Sequence, residues 1–207
     1  MTPRALILDF GEVLTRPQSR DSVERLAAVA DLSVDDFMAR YWRHRPEYDN
    51  GLAVGEYWRR VLERADAPPA PLLRELIAAD VASWTDYRTE VWDVAARFHA
   101  SGHRTAMLSN GVPEIIGRVR AERRLQDWFD VVVVSCEVGS CKPDPSIYQL
   151  CLDRLGEPAA QTLFVDDRAE NLQAAESVGL QTLQFTGDES VPLLRKLLEV
   201  PARSTVC

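Results

Sequence analysis

The chain has 207 residues, 46% of them hydrophobic and 27% charged, with a net charge of −8. That length and composition fit one sizeable globular domain, or a core with a modest insertion. The acidic balance, with a pI of about 5.0, leaves no electrostatic footprint for nucleic acid or for an anionic membrane, and no stretch approaches a membrane span.

After Arg4 only four apolar residues run together, too few for the core of a signal peptide. A cytoplasmic protein is expected. The cysteines Cys136, Cys141, Cys151 and Cys207 form no CxxC pair and stand near few histidines, which argues against zinc and for reduced thiols. Cys207 as the last residue makes no prenylation box.

The first element in chain order is a short buried-looking strand, Ala5–Leu8, which ends on Asp9, with Gly11 and Glu12 just beyond. Helical patterns follow at residues 21–30, 34–42, 54–65, 71–84 and 91–101, punctuated by Gly51, Gly55 and Pro68-Pro69. A second strand comes only at 105–108. This gap is far longer than the span of a whole βαβ unit, roughly thirty residues or a little more. The last of these helices is therefore read as the crossover, and residues 16–89 as a helical insertion. Strands at 131–134, 162–165 and 182–185 then alternate with helices at 112–123, 145–155 and 168–178. The expected fold is α/β: a Rossmann-like, doubly wound parallel sheet, its core made of residues 1–15 and 90–207, with an inserted α-helical cap.

Open parallel sheets bind ligands at the carboxyl ends of their strands, and the insertion leaves from such an end. Its aromatics, Tyr41, Trp42, Tyr48, Tyr57 and Trp58, are read mainly as the insertion's own core, with one or two lining a substrate pocket. The strand ends carry Asp9, then Ser109 and Asn110 in LSNG, then Lys142 in SCKPDP, then Asp166 and Asp167 in FVDDRAEN. Singly, each has a plain structural explanation as a cap, turn or solvated residue. Together they place three carboxylates, a lysine and two small polar side chains on one sheet edge. Asp9, Asp167 and a backbone carbonyl suit a hard divalent ion such as Mg²⁺, and Ser109, Asn110 and Lys142 suit an anion beside it. Such a layout serves phosphoryl transfer to an aspartate.

With these residues the sequence resembles the haloacid dehalogenase superfamily of hydrolases over nearly its whole length. LILDFGEVLT, LSN, KPDPSIY and FVDDRAENLQAA are similar to the superfamily's four motifs, and the insertion is similar to its first-insertion helical cap. DNGLAVGEYWRRV resembles the cap of a bacterial subgroup that includes a sugar-1-phosphate phosphatase. The resemblance implies a Mg²⁺-dependent phosphatase acting on a small phosphomonoester. Asp9 would be the nucleophile. Ser109 and Asn110 would hold the phosphoryl oxygens. Lys142 would neutralise charge, and Asn171 would support the loop of Asp166. Asp9, Asp167, the Gly11 carbonyl and, indirectly, Asp166 would hold the metal.

Gly11 departs from the commonest pattern, which places an acid–base aspartate there. Glu12 is the candidate to replace it, although alternation along an extended segment would turn it away from Asp9. Two other readings stand beside the phosphatase. One is a 2-haloacid dehalogenase using Asp9, which would need neither the metal nor the Asp166–Asp167 pair. The other is a non-catalytic binding protein, for which Gly11 is the only support. Arg16 is read as a hinge-surface residue or a contact to a second anionic group, His44 and Arg45 as solvated, and Arg168 as flanking the phosphate or exposed. His99 and His103 lie too far from the strand ends to take part. A homodimer through the exposed face of the insertion is compatible with the pattern and not required by it.

Overall fold

The computed structural model describes residues 3–199; Cys207 lies outside them. Five parallel strands form one sheet: β1 (Ala5–Leu8), β2 (Arg104–Ser109), β3 (Val131–Val134), β4 (Thr162–Asp166) and β5 (Gln181–Gln184), in the order β3-β2-β1-β4-β5. β1 is central, with Leu8 registered against Met107 on one side and Val165 on the other. Its four residues are wholly buried, as expected of a strand covered on both faces.

Alternation along the strands separates two apolar layers. Ile7, Ala106, Leu108, Val133 and Phe164 pack under α8 (Pro145–Leu155) and α9 (Ala169–Ser177). Leu6, Leu8, Met107 and Val165 face α5 (Thr89–Ala100), α6 (Pro113–Glu122) and α10 (Ser190–Leu197). Helices on both faces make this the doubly wound sheet that the pattern predicts. α5 is the crossover into β2. Two helices, α10 and the short α7 (Ser135–Val138), were not anticipated.

Four helices stand between β1 and α5: α1 (Arg20–Val29), α2 (Val34–Asp49), α3 (Val54–Val61) and α4 (Ala70–Ser83). Ser19 and Ser33 cap the first two, each accepting from a backbone N–H three residues on. Tyr41, Tyr48, Tyr57 and Trp58 are buried to within 1%, and the Tyr48 and Tyr57 rings stack at 4.2 Å. These side chains are the insertion's own core. Its two connections run side by side: Thr15 bridges Tyr87, Arg16 N–H donates to Asp86 O at 2.7 Å, and Arg88 N–H donates to Leu14 O at 2.9 Å.

Two elements differ from expectation by four residues or more at one end, the others by at most two. α2 does not stop at Trp42 but continues through Pro46 to Asp49. A proline removes one helix hydrogen bond, and here Arg45, Tyr48 and Asp49 are held by side-chain partners on either side of it. α3 ends at Val61, four residues before the expected 65. Among the described residues no helix is long and apolar enough to cross a membrane.

Candidate active site

The carboxyl ends of β1, β2 and β4, with the loop after α7, converge on one cleft that is open at its mouth, with about 770 Å³ of space when the solvent at the mouth is counted. Asp9 follows β1, its N–H bonded to Val165 O at 3.0 Å. One oxygen, Oδ1, accepts from Phe10 N–H at 2.6 Å and from Lys142 Nζ at 2.8 Å. The other, Oδ2, has no protein hydrogen-bond donor among the described residues. Lys142 Nζ also reaches Asp166 Oδ2 at 2.6 Å. Asp166 is fully buried and accepts in addition from Asn171 Nδ2, at 2.9 and 3.1 Å, and from Arg168 N–H at 2.9 Å.

Lys142 is positioned by Asn110. Its backbone N–H donates to Asn110 Oδ1, and Asn110 Nδ2 donates to Lys142 O, both at 2.8 Å. The Asn110 side chain thus holds the lysine loop through its carbonyl oxygen and one of its two N–H groups. Ser109 lines the cleft, its hydroxyl donating to Asn110 O at a long 3.3 Å.

Carboxylate oxygens of Asp9, Asp166 and Asp167 lie within 4.8 Å of one another. Burial pushes the Asp9 carboxyl up to about 7, against the opposing pull of Lys142 and with a further push from Asp166. Burial, then the charges of Asp166 and Glu12, raise Asp167 to about 6. Burial alone would lower the Lys142 ammonium, yet Asp166 and Asp9 hold it above the ordinary lysine range. Asp167 makes no ion pair among the described residues. One lysine against three crowded acids leaves an acceptor-only, excess-negative group, which fits a hard divalent cation such as Mg²⁺.

Between Phe10 and Leu14 the chain makes a single wide turn, closed by Thr15 N–H on Phe10 O at 3.1 Å. Gly11 is extended (φ −62°, ψ 133°), whereas Glu12 is left-handed (φ 57°, ψ −7°). The alternation expected to turn Glu12 away therefore does not operate. Glu12 lines the cleft, and its charge acts on Asp167. A left-handed backbone is uncommon for glutamate; here Glu12 N–H donates to Thr15 Oγ1 at 3.2 Å and Arg88 Nη2 donates to Glu12 O at 3.4 Å. Gly11 also lines the cleft, and a Cβ there would meet the Trp84 ring at 3.5 Å, an ordinary contact.

The insertion contributes Trp42, Arg45, Asp49 and Trp84. Arg45 was expected to be solvated, and this is corrected: it is 5% exposed. Its Nε donates to Asp49 Oδ1 at 2.7 Å, its Nη1 donates to the Tyr41 hydroxyl, and Asp80 lies 3.9 Å away. Trp84, Asp49 and Ser135 escaped the sequence reading. Residues 41, 45 and 48 share one helical face, a spacing that marks Arg45 as inward-facing. Ser135 Oγ donates to Asp49 O at 2.5 Å and accepts from Gly111 N–H at 3.0 Å. Arg16 pairs with Asp188 and Glu90 at the surface, away from the cleft. Arg168 lines the cleft and pairs with Glu170. His99 and His103 sit at the opposite edge of the sheet, near Asp130 and Arg4.

A doubly wound sheet that gathers acids and a lysine at its carboxyl edge places the chain among Rossmann-like α/β proteins. Residues 3–179 match the family described as haloacid dehalogenase-like hydrolase, and the chain belongs to that family. Among its relatives is acyl-CoA dehydrogenase family member 10 of Mus musculus, 39% identical over 109 residues, or 51% of this chain and 10% of the mouse protein. Another is (S)-2-haloacid dehalogenase 1 of a Pseudomonas species, 32% identical over 86 residues, or 42% of this chain and 38% of that protein. The chain thus matches well under half the length of either relative. A similar solved structure is an enzyme of the family from Bacteroides thetaiotaomicron in complex with magnesium and inorganic phosphate. Its TM-score is 0.71, at 19% identity over 89% of this chain and 94% of that one.

Proposed function

We propose that the chain is a Mg²⁺-dependent phosphatase that hydrolyses a small phosphomonoester through an aspartyl-phosphate on Asp9. The observation that carries this reading is the set of three carboxylates within 4.8 Å, set against the single ammonium of Lys142. Asp9, Asp167 and the Gly11 carbonyl would hold the metal, with Asp166 behind them. When bound, Mg²⁺ would offset the negative charge of carboxylate and phosphate.

Lys142 and Phe10 N–H hold Oδ1 of Asp9, which leaves Oδ2 to attack phosphorus. The new Oδ2–P bond forms as the bond from phosphorus to the leaving oxygen breaks, and that oxygen takes a proton from Glu12, which lines the cleft. Water then attacks phosphorus, passing a proton back to Glu12, releasing phosphate and restoring the Asp9 carboxylate. Ser109 and Lys142 supply donors to the phosphoryl oxygens. The helical insertion acts as a cap that shields the site from water. Support for phosphate also comes from the solved relative crystallised with magnesium and inorganic phosphate.

One observation favours a second reading. Gly11 carries no acid, displacement of a halide requires none, and one relative is named a haloacid dehalogenase. Hydrolysis of p-nitrophenyl phosphate with Mg²⁺, with EDTA, and by Asp9→Asn tests the first reading. Turnover that needs both the metal and Asp9 is expected. Metal-independent chloride release from 2-chloropropionate, without phosphate release, would replace it with the second.

A further inference from the structure

Beyond the acids and the lysine, the cleft has a wall that phosphoryl transfer does not use. Trp42 and Trp84 come to it from the insertion, and Ile115, Ile116, Phe10 and Val134 from the core. The last five are buried to within 7%, but Trp42 is 42% exposed. Trp42 is therefore the one large apolar side chain of this wall left open. Its place is not explained by the aromatic core of the insertion, which Tyr41, Tyr48, Tyr57 and Trp58 already fill. The two indoles meet edge to face, with centroids 6.2 Å apart. Trp84 is held in place, because its Nε1 donates to the buried Tyr41 hydroxyl at 3.0 Å.

The charges of the cleft point the same way. Each of its three cations already faces a carboxylate: Lys142 with Asp9 and Asp166, Arg45 with Asp49, and Arg168 with Glu170. One oxygen of the Asp49 carboxylate, Oδ1, is held by Arg45 Nε at 2.7 Å. A second anionic group would have to draw the exposed Arg168 away from Glu170, and polyol hydroxyls laid against indole and isoleucine would go without partners there, although Glu12 and Asp49 also line the cleft.

We infer that the leaving group of the substrate is an apolar, aromatic or long-chain alcohol, seated between Trp42 and Trp84 on one side and Ile115 and Ile116 on the other. This rests on the phosphatase reading and adds the substrate class to it. Phosphate enters toward Asp9, and the carbon skeleton points out beneath the insertion. Gly11 belongs to this arrangement. With Trp84 at 3.5 Å from the position of its missing Cβ, Gly11 presents the neighbouring aromatic ring rather than an acid of its own.

The test compares alcohols of similar acidity, so that binding rather than leaving-group chemistry is read. The kcat/KM values for 3-phenylpropyl phosphate and decyl phosphate are set against those for glycerol 3-phosphate and glucose 6-phosphate. The apolar esters are expected to lead by about 100-fold, and Trp42→Ala to shrink that lead by about tenfold, the usual scale of one aromatic contact with the burial it brings. Trp42→Phe should keep most of the preference, and the inhibition constant of inorganic phosphate should be the same in all three proteins. Trp42 is half-exposed, so the variants are expected to fold, with thermal unfolding as the check. Equal or reversed preference, or a Trp42→Ala variant that weakens inorganic phosphate as much as the apolar esters, would overturn the inference while leaving a phosphatase. Absence of Asp9-dependent turnover of any ester, p-nitrophenyl phosphate included, would overturn both.

Discussion

Replacing Lys142 by methionine keeps the stem of the side chain and deletes its charge. The ammonium lies 2.8 Å from Asp9 and 2.6 Å from Asp166, and the three side chains are 1%, 10% and 0% exposed. Removing one partner from a buried ion pair costs about 3–5 kcal/mol, because the remaining charge is left uncompensated. Two features hold this case to the low end. Asp9, already at about 7, sheds its charge by protonation near neutral pH. Asp166 keeps donors from Asn171 and from Arg168 N–H.

A loss of about 3 kcal/mol in a chain of 207 residues, with roughly 2.1 cal/mol/K of unfolding entropy per residue, lowers Tm by about 7 °C. The pH dependence carries a sign. In the variant Asp9, which burial already raises to about 7, loses the opposing pull of Lys142 and titrates further above its unfolded value, so the folded state binds the extra proton and loses stability as pH rises through that range. The deficit should therefore be larger at pH 8 than at pH 5. Thermal unfolding of both proteins in EDTA at the two pH values reads this directly. A Tm within 2 °C of the parent at pH 8, or an equal deficit at both, would refute the assignment of Lys142 as the counter-charge of the acid cluster.

Three further outcomes are expected. Asp9 and Asp167, raised to about 7 and about 6, must lose their protons to bind Mg²⁺. Its affinity should climb about tenfold per pH unit between 6 and 7, more steeply below 6, and level off above 7.5; a flat calorimetric profile from pH 5.5 to 8 would contradict the raised values. Gly11→Asp sits at an ordinary backbone conformation with room for Cβ, so it should fold and speed turnover of alkyl phosphates by up to about 100-fold, within the usual range for an added general acid; an unchanged rate in a stable variant would mean that Glu12 already meets the need for a proton. Arg45→Met strands Asp49 and the buried Asp80, and should lower Tm by about 7 °C or more; a shift under 2 °C would show that Arg45 does not balance those acids.

β1 to β4 were legible because each is a short, largely buried β-branched or apolar run, whereas the edge strand β5 is only partly buried, and β1 and β3 coincide with their expected bounds. The acids, the lysine and LSNG were legible as a group because a parallel sheet delivers every strand end to one edge. What stayed hidden depends on contacts distant in sequence. Pro46 reads locally as a helix stop, and only tertiary partners of Arg45 and Tyr48 carry α2 past it. Arg45 reads as a surface residue until Tyr41, Asp49 and Asp80 are seen around it. Glu12 was judged by the alternation of an extended segment, whereas a left-handed turn fixed by Thr15 and Arg88 sets its direction. Trp84 follows α4 and reaches Gly11 only through the folding of the insertion onto the sheet.

The central place of β1 gives the molecule two clocks. Ile7 and Leu8 are hydrogen-bonded into ladders on both sides, so Asp9 cannot be released without dissolving the sheet, and amide exchange there follows the slow rhythm of global unfolding. The insertion meets the opposite lip through bonds such as Ser135 to Asp49 and Tyr48 to Glu114 and through apolar contacts continuous with the core, and its two connections are bridged at Thr15 and Tyr87. Bonds of this kind open locally at lower cost than a central strand. On the proposed reading, a change of alcohol would be accommodated on the insertion's side of the cleft without disturbing the acids.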